Sequence, residues 1–73
     1  GGIEMPLTLA PQGQMNRINR ITGKDEVRRF LASLGFVEGE PVTVVSSMGG
    51  NMIIHVKDTR VALDRALASR IYI

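Results

Sequence analysis

At 73 residues, 44% of them hydrophobic and 22% charged, this chain has globular composition and room for one small core. A chain of this size buries only about 60% of the surface it exposes when unfolded, so its stability is expected to be modest. The formal charge is +2, and Arg17, Arg20, Arg28, Arg29, Arg60, Arg65 and Arg70 are scattered among acids. That spread lacks the dense basic stripe that phosphate contacts require, so no nucleic-acid partner is expected. No cysteine is present, which rules out disulfides and fits a reducing cytoplasm. The apolar runs are far shorter than the roughly 20 residues that cross a bilayer, and no signal-peptide pattern opens the chain. Gly1 to Glu4 ahead of Met5 read as an added leader, leaving 5–73 as a single domain.

In chain order, Pro6-Leu7-Thr8-Leu9-Ala10 is an apolar lead-in closed by Pro11 and Gly13. Gln14 to Ile21 alternates as a strand, but Ile18 and Ile21 differ in parity, which predicts a twist, a bulge or an early strand end. Thr22, three residues before Asp25, suggests a capping-box-like helix start, and Asp25 and Glu26 suit the positive end of the helix dipole. Val27, Phe30, Leu31 and Leu34 fall at i, i+3, i+4 and i+7, an apolar stripe that plugs the core. Arg28 and Arg29 point elsewhere, within reach of Asp25. Gly35 occupies the position of a left-handed helix stop, with Phe36 as its hydrophobic partner.

Val37 to Pro41 then turns into two β-branched strands, Val42 to Ser46 and Ile53 to Lys57, joined by the hairpin loop Met48-Gly49-Gly50-Asn51. Asp58-Thr59-Arg60 reads as a second turn, Val61 to Leu63 as a short strand, and Asp64 to Ser69 as one or two helical turns. Ile71 to Ile73 closes the chain as a strand returning beside the first. The fold class is mainly β: a small, partly open barrel of about five strands, with one short α-helix after the first and a helical turn before the last.

Little reactive chemistry is legible. His55 is the only histidine and lies within a strand. A metal site needs three or four converging ligands, so His55 reads as a solvent-facing or packed strand residue and no metal ligand is assigned. Met5, Met15, Met48 and Met52 are soft donors in principle, yet methionine serves mainly to fill core gaps. Met48 at a hairpin tip is the exception and reads as contact surface. The serines lack an activated-nucleophile pattern, and no phosphate-binding loop motif occurs. No catalytic residue or cofactor site follows, and an enzyme is not expected. Proline-rich peptide binding also fits poorly, since its grooves are paved with aromatic rings and this chain has no tryptophan, one tyrosine and two phenylalanines.

The helix-to-turn unit R-R-F-L-A-S-L-G-F-V-E-G, the glycine-tipped hairpin and R-V-A-L-D-R-A-L-A-S-R-I-Y-I together resemble the FeoA family, ferrous iron transport protein A. The resemblance runs from about Leu7 to Ile73. One departure is Glu38, where many members carry proline before the glycine at Gly39. The resemblance implies a small cytoplasmic SH3-like barrel whose partner is FeoB, the GTP-dependent ferrous iron transporter of the membrane. It also implies a position at the membrane's inner face only through that transporter, acting on its assembly or nucleotide cycle. Similar domains form the C-terminal part of DtxR-type metal-dependent repressors, so a metal-linked regulatory domain or a ferrous iron chaperone are the alternatives. Self-association is a further option. The candidate contact residues are Arg28 and Arg29 on the outer helix face, Met48 and Asn51 at the hairpin tip, and Arg60 in the following turn.

Overall fold

A computed structural model describes residues 3–73. Its strands are β1 (Met15–Arg17), β2 (Arg20–Ile21), β3 (Pro41–Met48), β4 (Asn51–Val56), β5 (Thr59–Asp64) and β6 (Ile71–Tyr72). The helices are α1 (Asp25–Ser33) and α2 (Arg65–Ala68), with a 3₁₀ turn at Leu7–Leu9.

The expected first strand divides in two at Ile18, which is why six strands stand where five were expected. β1 pairs antiparallel with β3, whereas β2 pairs antiparallel with β6. Ile18 is buried at the corner; its N–H donates to Glu40 O at 3.0 Å and its carbonyl accepts from Gly39 N–H at 2.8 Å. One residue later, Asn19 N–H donates to Tyr72 O, so the backbone changes sheets within two residues without losing hydrogen bonds. The parity conflict between Ile18 and Ile21 is this corner: each isoleucine serves a different sheet. The larger sheet has the order β1-β3-β4-β5 and the smaller is β2-β6. β6 therefore returns beside the first strand region as the sequence suggested, and the two sheets form a partly open barrel.

Inward residues of the larger sheet, Val42, Val44, Met52, Ile54, Val56 and Leu63, are each at most 2% exposed. Leu7, Ala68 and Ile71 close the core from the lead-in, α2 and β6. A bulge between Val44 and Ser46 bends β3 across the barrel. Lys57 and Asp58, at φ 51° and 61°, form a two-residue turn between β4 and β5. Successive positive φ values match the right-handed twist of a tight hairpin. The turn thus falls earlier than the expected Asp58–Arg60, and Arg60 belongs to strand β5.

α1 forms where expected, but its N-cap and one residue of its apolar stripe differ from the expectation. Its N-cap is Lys24, with no side-chain cap; the Thr22 hydroxyl donates instead to Arg70 O at 3.2 Å. The capping box does not form because Thr22 is engaged by the strand region. Asp25 and Glu26 do occupy the first turn. At the other end, Phe36 N–H reaches Leu31 O and Gly35 N–H reaches Ala32 O, both at 3.0 Å, the paired bonds of a Schellman stop. Leu31 is fully buried, with Val27 and Leu34 packed beside it, but Phe30 is 49% exposed. Adjacent helical residues diverge by about 100°, so Leu31 facing the core turns Phe30 to its rim. The buried aromatic is Phe36, delivered inward by Gly35 at φ +105°.

Glu4, assigned to the leader, binds Arg20 at 2.8 Å and hydrogen-bonds Asn19. The Glu4 hydrogen bond and charge raise the Arg20 pKa, and its guanidinium lies over the Tyr72 ring at 4.7 Å. Gly1 and Gly2, the start of that leader, lie outside the described residues.

Candidate docking surfaces

The outer face of α1 carries Arg28 and Arg29, both exposed, with the small side chain of Ala32 one turn further on. Arg28 Nη1 stands 3.9 Å from Asp25 Oδ1, the outer limit of an ion pair between exposed groups. Its donors therefore remain open to a partner. On one side of Arg28 and Ala32 is a groove of about 170 Å³ walled by Ile21, Phe36, Val37 and Glu38. On the other side is a shallower depression of about 380 Å³ lined by Asp25, Arg28, Arg29 and Ala32. Val37 is 39% exposed, and Phe30 on the same helix is 49% exposed. The result is an apolar notch whose rim carries Arg28 and Arg29 on the helix side and Glu38 on the turn side, beside a helix that is itself fixed by Leu31.

Met48 and Asn51 pair across the hairpin tip, and Met48 is 78% exposed. α2 braces this tip: Arg65 N–H donates to Gly50 O at 2.9 Å, and its guanidinium reaches Ser47 Oγ at 3.3 Å. Asp64 caps α2, accepting from Leu67 N–H at 2.8 Å. Of the other methionines, Met52 fills the core as anticipated, whereas Met15 is 54% exposed on edge strand β1.

Arg60 lies opposite His55, His55 opposite Thr43 and Thr43 opposite Met15, one row across the outer face of the larger sheet. A depression of about 400 Å³ runs beside this row, bounded by Glu40, Pro41, Lys57 and Asp58, with Lys57 Nζ 2.9 Å from Glu40 Oε1. Met48, Asn51 and Arg60 thus share the outer face of one sheet, while Arg28 and Arg29 occupy a separate helix face. None of these three grooves is lined by residues from both groups. Sequence reasoning missed Ala32, Val37 and Glu38 as groove walls; the signal available was the small residue on the arginine face and the turn directly after the glycine stop.

The donor chemistry is sparse. Among the described residues, no group of three or more His, Asp or Glu side chains is placed to hold a metal ion. No helix among them is long and apolar enough to cross a membrane.

The sequence pattern of the FeoA domain matches residues 5–73. The chain belongs to the FeoA family. An iron uptake regulatory protein, FeoA, solved as a crystal structure, superposes with a TM-score of 0.87 at 28% identity, covering 96% of this chain and 95% of that one. The Stenotrophomonas maltophilia FeoA complexed with zinc superposes at 0.80 with 30% identity, covering 92% of this chain and 86% of that one. That protein is described as a prokaryotic SH3 domain protein and suggested as a bacterial ferrous iron transport activating factor. A manganese-dependent transcriptional repressor shares the fold at 0.87, at 19% identity, with this chain spanning 40% of its length. No match was found among curated proteins. The FeoA-family architecture is accordingly an SH3-like barrel, and the family is associated with ferrous iron transport.

Proposed function

We propose that this FeoA-family chain is a cytoplasmic accessory factor of ferrous iron uptake, docking on the cytosolic part of a FeoB-type GTP-dependent transporter. It reaches the inner face of the membrane only through that partner, and it acts on the transporter's assembly or nucleotide cycle. The observation that carries the reading is the α1 face. Arg28 and Arg29 are exposed with only a marginal internal partner, beside an apolar notch at Ala32 and Val37. An acidic, apolar-tipped segment of a partner fits such a surface, with the notch supplying contact area and the arginines orientation. Met48 and Asn51 at the braced hairpin tip are a second contact region, presented by the sheet.

The iron ion is cargo of the transporter in this account. The absence of a converging donor set among the described residues favours this over an iron chaperone. The likeness to the manganese-dependent repressor is one of fold, so the regulatory-domain alternative rests on the barrel alone. The test is anaerobic ferrous uptake by transporter-containing cells with and without this protein, alongside capture of the transporter's cytosolic part. Uptake is expected to fall on deletion, and capture is expected to weaken when Arg29 and Met48 are replaced together by alanine. Unchanged uptake with nothing captured would end the proposal, and undiminished capture by the double variant would remove these residues from it.

A further inference from the structure

Among the described residues, β5 has the longest regular strand edge without a partner; the edge of β3 beyond Val44 is also unpaired, but the bulge between Val44 and Ser46 interrupts its ladder. β6 is covered by the lead-in, with Met5 and Ile73 exchanging both backbone hydrogen bonds at 3.0 and 2.9 Å. β1 and β2 have three and two residues and bend into one another at Ile18. β5 has six residues, Thr59–Asp64, and pairs only with β4. An edge of that length with free main-chain groups is a template for another strand.

The phase of the ladder fixes which groups are free. Val56 and Thr59 flank a two-residue turn and so form a mutually hydrogen-bonded pair. Alternation makes Ile54–Val61 and Met52–Leu63 bonded as well, and the Arg65 N–H to Gly50 O bond continues the same phase. The intervening residues, Arg60, Ala62 and Asp64, therefore direct their main-chain groups away from β4. Among the described residues, Arg60 and Ala62 have no other backbone partner, and all three residues are exposed. The Asp64 carbonyl starts α2, but its N–H remains on the open edge, and only its Oδ1 is used by the cap.

We propose that β5 pairs antiparallel with β5 of a second copy of this chain, on a two-fold axis at Ala62. The charge pattern selects both occupant and register. Centred on Ala62, each Arg60 lies opposite Asp64 of the other copy on the outer face, and each Val61 lies opposite Leu63 on the inner face. The two Ala62 residues exchange two main-chain bonds, and each Asp64 N–H donates to the facing Arg60 carbonyl. A two-residue slip in either direction separates the charges, and a slip to an axis at Arg60 sets the arginines against each other. Alanine at the axis leaves the backbones unobstructed. A single strand pair is smaller than the ~1,000 Å² of a durable interface, so the dimer is reversible and concentration-dependent. It joins two four-stranded sheets into one and leaves the α1 face free.

The test is sedimentation velocity of the full chain from about 10 μM to about 1 mM, a range suited to a weak interface. The sedimentation coefficient is expected to rise towards the dimer value, and to rise less at high salt. Ala62→Pro removes the outward N–H without touching the β4 ladder and is expected to abolish the rise, as is Arg60→Glu, which sets like charges face to face. Should Ala62→Pro unfold, Ala62→Cys replaces it. The facing Cα atoms of a bonded antiparallel pair are about 5.5 Å apart, within the range a disulfide spans. The chain has no cysteine of its own, so mild oxidation should cross-link this variant faster than Met48→Cys at the exposed tip. A monomer at all concentrations would overturn the proposal. So would a dimer that survives Arg60→Glu, or cross-linking no faster than at position 48.

Discussion

Gly35→Ala is the sharpest probe of how this chain is wired. Gly35 sits at φ +105°, and a Cβ built there would lie 2.8 Å from Lys57 Cγ and 3.4 Å from Val56 Cγ2. Two costs add. An L-residue held in left-handed conformation loses about 1–2 kcal/mol. Relief of the 2.8 Å contact also moves the Lys57 stem and weakens its exposed pair with Glu40, worth under ~1 kcal/mol. The loss of unfolded-chain freedom offsets about 0.4–1 kcal/mol. The net expectation is a destabilisation of about 1–2 kcal/mol, which for a domain of this size lowers Tm by about 4–16 °C. Thermal and urea unfolding followed by circular dichroism would measure it. Gly39→Ala separates the contributions: Gly39 has φ +85° but nothing within 4 Å of the added Cβ, so it carries conformational strain alone. Lys57→Ala in the Gly35→Ala background removes the clashing Cγ and should return the steric part, visible as a coupling in the double-mutant cycle. Equal stability of Gly35→Ala and the parent, or a null cycle with Lys57→Ala, would refute the reasoning.

The two phenylalanines should behave oppositely. Phe36→Ala empties the core of a fully buried ring at about 3–5 kcal/mol, enough to unfold a domain of modest stability, whereas Phe30→Ala should cost under ~1 kcal/mol by the same denaturation assay. Asp64→Ala removes the α2 cap and should cost about 0.5–2 kcal/mol, with hydrogen exchange rising first at the Leu67 amide that the cap holds. Arg20→Ala removes both the Glu4 pair and the Tyr72 stack at an exposed site, and the unfolding midpoint is expected to stay close to the parent's in the same assay.

Much of this architecture was legible because local signals and tertiary needs agree. The α1 stop at Gly35-Phe36, the glycine-tipped hairpin and the return of Ile71 and Tyr72 to the first strand region all follow from residue type and spacing. Three features went astray where the tertiary environment decides. Phe30 matched the helical stripe, but the barrel interior takes one ring, and the glycine stop hands that place to Phe36. Thr22 matched a capping box, but its backbone and hydroxyl are claimed by Arg70 across the sheet. The β4–β5 turn falls on Lys57 and Asp58, and a lysine at φ 51° carries no turn signal of its own. The candidate contacts were legible as exposed residues, but their division between a helix face and a sheet face depends on strand pairing that spacing alone does not reveal.

The central claim is that the α1 face engages the transporter. Its most direct test is titration of the transporter's cytosolic part with the parent chain and with Arg28→Glu/Arg29→Glu, both shown to be folded by circular dichroism. Both arginines are exposed, so the fold is expected to persist. The account predicts a Kd raised at least about tenfold, a loss of roughly 1.4 kcal/mol or more. An unchanged Kd for the folded double variant would contradict it.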